Sequence, residues 1–411
     1  MKDRREFIKT LLVLGGSGAL FDPTKALAQS VSLGPPVRDT RAVPHGSVLL
    51  PEIQINPFSS EIILNSRLSY HSGYSGSLSP QILANVLWAA ARAPLIGSYR
   101  IIYAALPTAV YRYDADNHCL VPHLLGNHMS ESNVAFEVGV AGDVIEDAGV
   151  SLHYAQLASY SFWSTTSNQP VCCPKDSGTN HANSNWNPQS TVHLVNCYGR
   201  MNTVNGITAQ LAVQSSNGSL PDPLTDGPML LEDGLADLSY GDQFASGELT
   251  LNRISQIAWA SYGCNPHDVF GGRAGINVAS WVAMYFLTGR IYIVRSTGVD
   301  RYHIRLPSGS TGSRDHRIEA VTVGDRRANL RSALPGLPQS APNYYVFCAT
   351  DTQTRHLVEA GFAGANALLQ ATSLGLQGYF NAGFSSSERT SVINALSIPT
   401  SDLPLLVFSV G

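Results

Sequence analysis

Charge is scarce in this chain. Only 14% of its 411 residues are Asp, Glu, Lys or Arg, and the net charge is −4. No cluster of Lys and Arg marks a nucleic-acid footprint. After residue 30 no apolar run approaches the length of a membrane-spanning helix. The six cysteines, Cys119, Cys172, Cys173, Cys197, Cys264 and Cys348, include no Cys-x-x-Cys pair, and no histidine spacing completes a zinc site. A Gly-x-Ser-x-Gly elbow, a phosphate-binding P-loop and a His-Glu-x-x-His pair are also missing. These gaps remove the hydrolase, nucleotidase and metalloprotease chemistries that are readable from short strings.

A large core is present instead. Hydrophobic residues make up 44% of the chain, enough for two domains of ordinary size once a leader of roughly 28 residues is set aside. Low charge with many Ser, Thr, Asn and Gly suits an extracytoplasmic globular protein. Such a leader is visible. Arg4-Arg5 sits in Met1–Lys9, an apolar run covers Thr10–Leu20, and Ala26-Leu27-Ala28 offers a small-x-small cleavage site. Paired arginines followed by Glu-Phe-Ile-Lys look like a twin-arginine signal, which exports proteins already folded. The expected location is therefore periplasmic or otherwise exported, with no membrane span after signal removal. Cargo of this route often folds around a cofactor first.

The rest reads as two copies of one pattern. Leu78–Ala90 matches Leu249–Ser261, each opened by a Ser or Thr cap and continued at helical spacing. Arg100–Tyr103 matches Arg290–Ile293, and each leads through a turn to Arg112-Tyr113 or Arg301-Tyr302, as in a hairpin. Glu137–Gly142 matches Glu359–Gly364, read as small residues inside a helix, and Leu194–Gly199 matches Leu406–Gly411, read as a terminal strand. The expected divisions are a signal (1–28), an extended lead-in (29–60), a first domain (61–215), a linker rich in breakers (216–227) and a second domain (228–411). Residues 164–190 read as a long loop.

The second half resembles the nitroreductase-like flavin family, in particular its azoline-oxidising (thiazole- and oxazole-forming, streptolysin S type) dehydrogenase branch. The landmarks are Leu249–Gly263, Gly272-Arg273, Ala279–Tyr285, Gly324–Arg327, Ala341-Pro342, Gly361–Gly375 and Leu405–Gly411. The family's Pro-Ser-Ala-Gly-Ala-Leu-Tyr string reads Ala279-Ser280-Trp281-Val282-Ala283-Met284-Tyr285 here, and its Gln-Asn pair reads Ala365-Asn366. The first half is similar more faintly, through Arg67-Leu68-Ser69-Tyr70-His71 before Leu78-Ser79-Pro80. The resemblance implies an α+β fold of three-layer domains, each a central mixed sheet flanked by helices, with two copies fused as a pseudo-dimer. It implies FMN bound between subunits, here between the two halves.

The copies have lost complementary parts. The Ser280 segment has no counterpart in the first half, and Arg67 has none in the second. One composite site remains, with Arg67, Ser69, His71 and Arg200 from the first half and Arg273, Ser280 and Asn366 from the second. Arg67 is expected on the FMN phosphate, because a guanidinium offers a planar bidentate fork. Arg273 is expected at the ring's polar edge or a substrate carboxylate, and Ser280 at the isoalloxazine or ribityl chain. Outside the cytosol, where free NAD(P)H is not expected, a small-molecule substrate would be served by a quinol or a redox protein. The alternative is a flavin-free binding or scaffold protein on the same fold. Cys172 and Cys173 remain open as metal or redox ligands, disulfide partners or plain thiols. His118, His123 and His128 read as loop or strand histidines, and Tyr160, Phe162 and Trp163 as a core patch or a flavin cover.

Overall fold

The computed structural model describes residues 43–74, 77–163, 169–176, 186, 192–202, 204, 206–207, 219–245 and 247–411. The expected signal (1–28), most of the lead-in (29–42) and the start of the linker (216–218) lie outside them. Pro44–Gly411 forms one compact unit.

The first half runs β1 (Val48–Leu49), α1 (Ser60–Ser66), α2 (Pro80–Arg92), β2 (Arg100–Leu106), β3 (Ala109–Asp114), β4 (Cys119–Leu125), β5 (Phe136–Gly142), α3 (Ile145–Tyr160), β6 (Gln169–Asp176) and β7 (Val192–Met201). The second runs α4 (Leu231–Ala236), α5 (Leu251–Tyr262), β8 (Cys264–Val269), β9 (Arg273–Ile276), β10 (Ile291–Arg295), β11 (Gly298–His303), β12 (Arg317–Val323), α6 (Arg327–Ala333), β13 (Asn343–Ala349), α7 (Thr354–Ser373), β14 (Gly378–Ala382), α8 (Ser386–Leu396) and β15 (Leu403–Val410).

The paired helices start where the caps predict. The Ser79 hydroxyl accepts from the Ile82 amide and Pro80 follows in the first turn, while Thr250 accepts from Arg253. A side-chain cap satisfies one of the amides that a helix start leaves free. The expected hairpins are present as β2–β3 and β10–β11. One sheet has the order β1-β4-β3-β2-β5-β7-β6 and the other β12-β11-β10-β13-β15-β14. Apart from β1, the two orders are the same. Every named strand pairing is antiparallel, so the sheets are not mixed as expected; the parallel contact is a single bridge, Tyr240–Gly378.

Helices α3 and α7 lie between the sheets, α3 on β5–β7 and α7 on β13–β15, and they pack on each other. They touch through glycine. A Cβ on Gly149 would stand 2.5 Å from the Val358 carbonyl oxygen, and one on Gly361 would stand 2.9 Å from the Gly149 Cα. Small residues at a crossing let two backbones approach. Helices α6 and α8 pack on each other beside the second sheet, on the side where Tyr292, Tyr344 and Val407 form a separate core cluster.

Two further expectations fail here. Glu137–Gly142 is strand β5, paired on both sides with β2 and β7, and not a helix matching Glu359–Gly364. Gly139 is small because Trp186 presses on it, with a would-be Cβ at 2.7 Å from the indole. Residues 169–176, expected within a loop, form β6 at the sheet edge. An edge strand tolerates Pro170 and Pro174, since a missing N–H there need not break a ladder.

Candidate functional site

Helix α1 buries nearly all its residues, and its C-cap is Arg67. The cap is carried inward with the helix, leaving the arginine 2% exposed. Its Nη2 donates to the carbonyls of Ile276 (3.0 Å) and Val278 (2.5 Å), and Nη1 donates to Ser69 Oγ (3.1 Å). Nε has no partner. No carboxylate pairs with it among the described residues. Burial lowers its pKa, against the pull of Tyr285, Tyr160, Cys172 and Cys173. A guanidinium stays charged even so, so this is a buried cation without a counter-ion among the described residues.

The carbonyls that hold Arg67 belong to β9 and the segment after it. Asn277 anchors that segment. Its amide donates to Gly263, its Nδ2 donates to Trp259 (2.8 Å), and its carbonyl accepts from Asn366 Nδ2 (2.9 Å). Three residues beyond it have left-handed backbones, Val282 (φ 48°), Ala283 (φ 52°) and Tyr285 (φ 54°). Such strain costs roughly 1–3 kcal/mol per residue and persists only where the surroundings enforce it. Ser280 supplies part of that enforcement, since its Oγ accepts from the Tyr285 amide (2.8 Å) and its carbonyl from Ala283 (3.2 Å).

Two adjoining cavities open between these pieces. One, of about 150 Å³, is lined by Arg67, Ser69, His71, Phe270, Ser280 and Tyr285. The other, of about 50 Å³, is lined by Ser69, His71, Trp281, Arg355, Glu359 and Phe362. Ser69, His71, Ala279 and Ser280 border both. Phe270 (71% exposed) and Trp281 (52%) form an apolar rim, with the Arg355 guanidinium 4.9 Å from the Trp281 ring centre.

The structure therefore brings Arg67, Ser69, His71 and Ser280 together. It places the other three expected residues elsewhere. Asn366 is fully buried in α7 and holds both His153 (2.7 Å) and the Asn277 carbonyl, a bracing role for the Ser280 segment. Arg273 donates to the Val282 carbonyl (3.4 Å) from outside the cavities. Arg200 sits on β7 opposite Pro170 and borders neither cavity.

One residue of the site was not singled out as such by the sequence. Glu359 borders the second cavity and is 1% exposed. Its Oε1 accepts from the Tyr262 hydroxyl and the Leu287 amide, and Oε2 has no partner. Burial pushes its pKa up to about 7, partly offset by the Ser280 and Tyr262 hydroxyls. The sequence showed only its place in a repeat.

The remaining candidates resolve simply. Cys173 Sγ lies 3.2 Å from His71 Nδ1, burial raises the pKa of both Cys172 and Cys173, and all six cysteines are free. Among the described residues no group of His, Cys, Asp or Glu is arranged to hold a metal ion. His118, His123 and His128 each bond a backbone carbonyl, of Pro51, Trp186 and Leu125. Trp163 packs edge-on against Phe58, and the Tyr160 hydroxyl donates to the Leu68 carbonyl, which makes that cluster core packing. No described helix is long and apolar enough to cross a membrane.

No family model and no curated protein matches the sequence. Solved structures do. A protein assigned as a nitroreductase from Anabaena variabilis superimposes with a TM-score of 0.57 at 12% identity, over 89% of this chain and 93% of that one. One from Ralstonia eutropha is 23% identical over 51% of this chain and 95% of its own, with a TM-score of 0.38. An FMN-dependent nitroreductase from Clostridium difficile is 14% identical over 43% of this chain and 84% of its own, with a TM-score of 0.30. The first of these likenesses defines the class: the chain has an α+β, nitroreductase-like fold.

Proposed function

We propose that the chain is an exported FMN-dependent oxidoreductase with one composite flavin site between its two halves. The observation that carries this is Arg67, a buried cation with an unpartnered Nε, no carboxylate partner among the described residues and a cavity beside it. Burying a charge costs several kcal/mol unless an opposite charge meets it. A phosphate at Arg67 supplies that opposite charge, with the Ser69 hydroxyl and His71 imidazole at hand. The donor set thus fits an FMN phosphate. The apolar lining beyond it, including Ala279, Trp281 and Phe362, suits an aromatic ring system, and Ser280 stands where both cavities meet.

FMN supplies the two-electron chemistry when bound; the protein's part is to hold, orient and exclude water. Arg67 fixes one end. The Asn366–Asn277 brace and the Ser280 hydrogen bonds fix the strained segment against the other. The two halves are read as fused copies, supported by the repeated strand order. Only one of the two possible interfaces keeps a site, because α1 ends in Arg67 whereas α4 ends in Asp237. The Arg4-Arg5 string supports export by the twin-arginine route, which favours a quinol or redox protein as electron donor for a small-molecule substrate.

The absorption spectrum of the purified folded chain tests the reading. A flavin spectrum, or its appearance with one equivalent of FMN, is expected, and Arg67→Ala is expected to lose it while remaining folded. A colourless chain that refuses FMN overturns the reading in favour of a flavin-free binding protein.

A further inference from the structure

The crossing of α3 and α7 relates the two halves residue by residue. Gly149 meets the Val358 carbonyl and Gly361 meets the Glu146 carbonyl, a reciprocal contact with a constant offset of 212 residues (146 to 358, 149 to 361). The same offset pairs Asp147 with Glu359. Both are buried carboxyl groups one residue past the crossing contact, yet they are treated differently. Asp147 is locked by Arg100, with Nη1 to Oδ1 at 2.6 Å. Arg290, which the repeat sets against Arg100, turns instead to Asp402 at 3.3 Å. Each carboxyl keeps one oxygen unpartnered, Asp147 Oδ2 and Glu359 Oε2, but Glu359 alone lacks a cation and borders the cavity.

One copy of the carboxyl is thus closed into structure and the other is kept open beside the site. We propose that Glu359 is the proton carrier of this cavity, taking up one proton as a bound electron donor delivers two electrons to the flavin site. The inference rests on the flavin reading. The donor class is a quinol. Its two O–H bonds break as the ring becomes the quinone: two electrons and one proton pass to the flavin, and the other proton passes to the Glu359 carboxylate. The carboxylic acid then returns that proton to solvent.

The surroundings favour this. The titratable or charged groups around Glu359 are Tyr262 from α5, Tyr285 from the strained segment, Arg355 and His71 across the same cavity, and His356 one turn away on its own helix. Of these, Tyr262 already spends its proton on Oε1, and His356 is held by Asp351 at 2.6 Å. Burial holds the Glu359 pKa near 7, where a carboxyl exchanges protons readily in both directions at neutral pH.

The test uses the full chain loaded with FMN, comparing wild type, Glu359→Gln and Asp147→Asn. The flavin midpoint potential is measured against pH by photoreduction, with no substrate. The wild-type slope is expected to break near pH 7, the break to vanish in Glu359→Gln with flavin stoichiometry unchanged, and to survive in Asp147→Asn. Carbon-13 carboxyl resonances of the flavin-free chain provide a second readout: of the two glutamates titrating near 7, Glu146 and Glu359, Glu359→Gln removes one. A break that persists in Glu359→Gln overturns the proposal, as does a Glu359 resonance titrating in the ordinary carboxylate range. A wild-type chain that takes no flavin fails the earlier reading instead, and the two failures are told apart by colour alone.

Discussion

Replacing Arg67 by Met removes the buried guanidinium while keeping most of its stem volume. Three of its N–H groups are committed, two from Nη2 to Ile276 and Val278 and one from Nη1 to Ser69. That leaves Nε–H and one Nη1–H for an anion, out of the donors a guanidinium carries. A charge-assisted hydrogen bond contributes ~1.5–3 kcal/mol, so loss of the phosphate contact is expected to weaken FMN binding by ~3 kcal/mol, or ~150-fold. Riboflavin carries the same ring without the phosphate, and its affinity is expected to change by less than ~3-fold. The assay is fluorescence titration of FMN and riboflavin against wild type and Arg67→Met, closing a cycle between the side chain and the phosphate. Equal losses for the two ligands would refute the assignment, because they would mean that Arg67 acts through the Ile276–Val278 backbone alone. Arg67→Lys is expected to fall between, since an ammonium restores charge but not the fork.

Other consequences can be measured on the flavin-free chain. Glu359 is protonated in the fold between its ordinary value of 4.5 and about 7, whereas the unfolded chain is ionised there. Folding thus takes up a proton, and stability falls as pH rises through that window, by up to about 3 kcal/mol. Urea unfolding from pH 5 to pH 8 is expected to show that slope, shallower in Glu359→Gln where the buried Glu146 still contributes; an unchanged slope would remove Glu359 as a source. Gly361→Ala drives a Cβ into the Glu146 and Gly149 backbone of α3, and overpacking of this kind is expected to cost ~1–3 kcal/mol or more in a thermal melt. Arg100→Met leaves Asp147 buried without its partner, a loss of ~3–5 kcal/mol that Asp147→Asn in the same chain is expected to recover in part.

What the sequence made legible follows from how local the physics was. The starts of α2 and α5 rest on Ser79 and Thr250, which bond amides three residues away, so a short window contains the whole cause. The hairpins β2–β3 and β10–β11 are equally local. Glu137–Gly142 misled because a string of small residues suits any close approach, in a strand as in a helix, and only the distant Trp186 shows which. Pro170 and Pro174 hid β6, since edge position is a property of the whole sheet. The convergence of Arg67, Ser69, His71 and Ser280 on one cavity was legible through resemblance. Glu359 was not, because its partners Tyr262 and Leu287 lie 97 and 72 residues away in sequence. Asn366 was legible as a landmark but not in its use, which depends on a carbonyl at Asn277.

The crossing of α3 and α7 also bears on how the chain must fold. Every residue of α3 after Ile145 is buried, including Glu146, Asp147, His153 and Gln156. Part of that burial comes from α7, more than two hundred residues downstream, through His153 on Asn366 and Tyr154 on the Ala365 carbonyl. During synthesis the first half therefore waits with an unpaired apolar helix until α7 has left the ribosome. Contacts so far apart in sequence are slow to form and leave sticky surface exposed meanwhile. Refolding from denaturant is expected to show one late step shared by probes in both halves, and aggregation in competition with that step that rises with chain concentration.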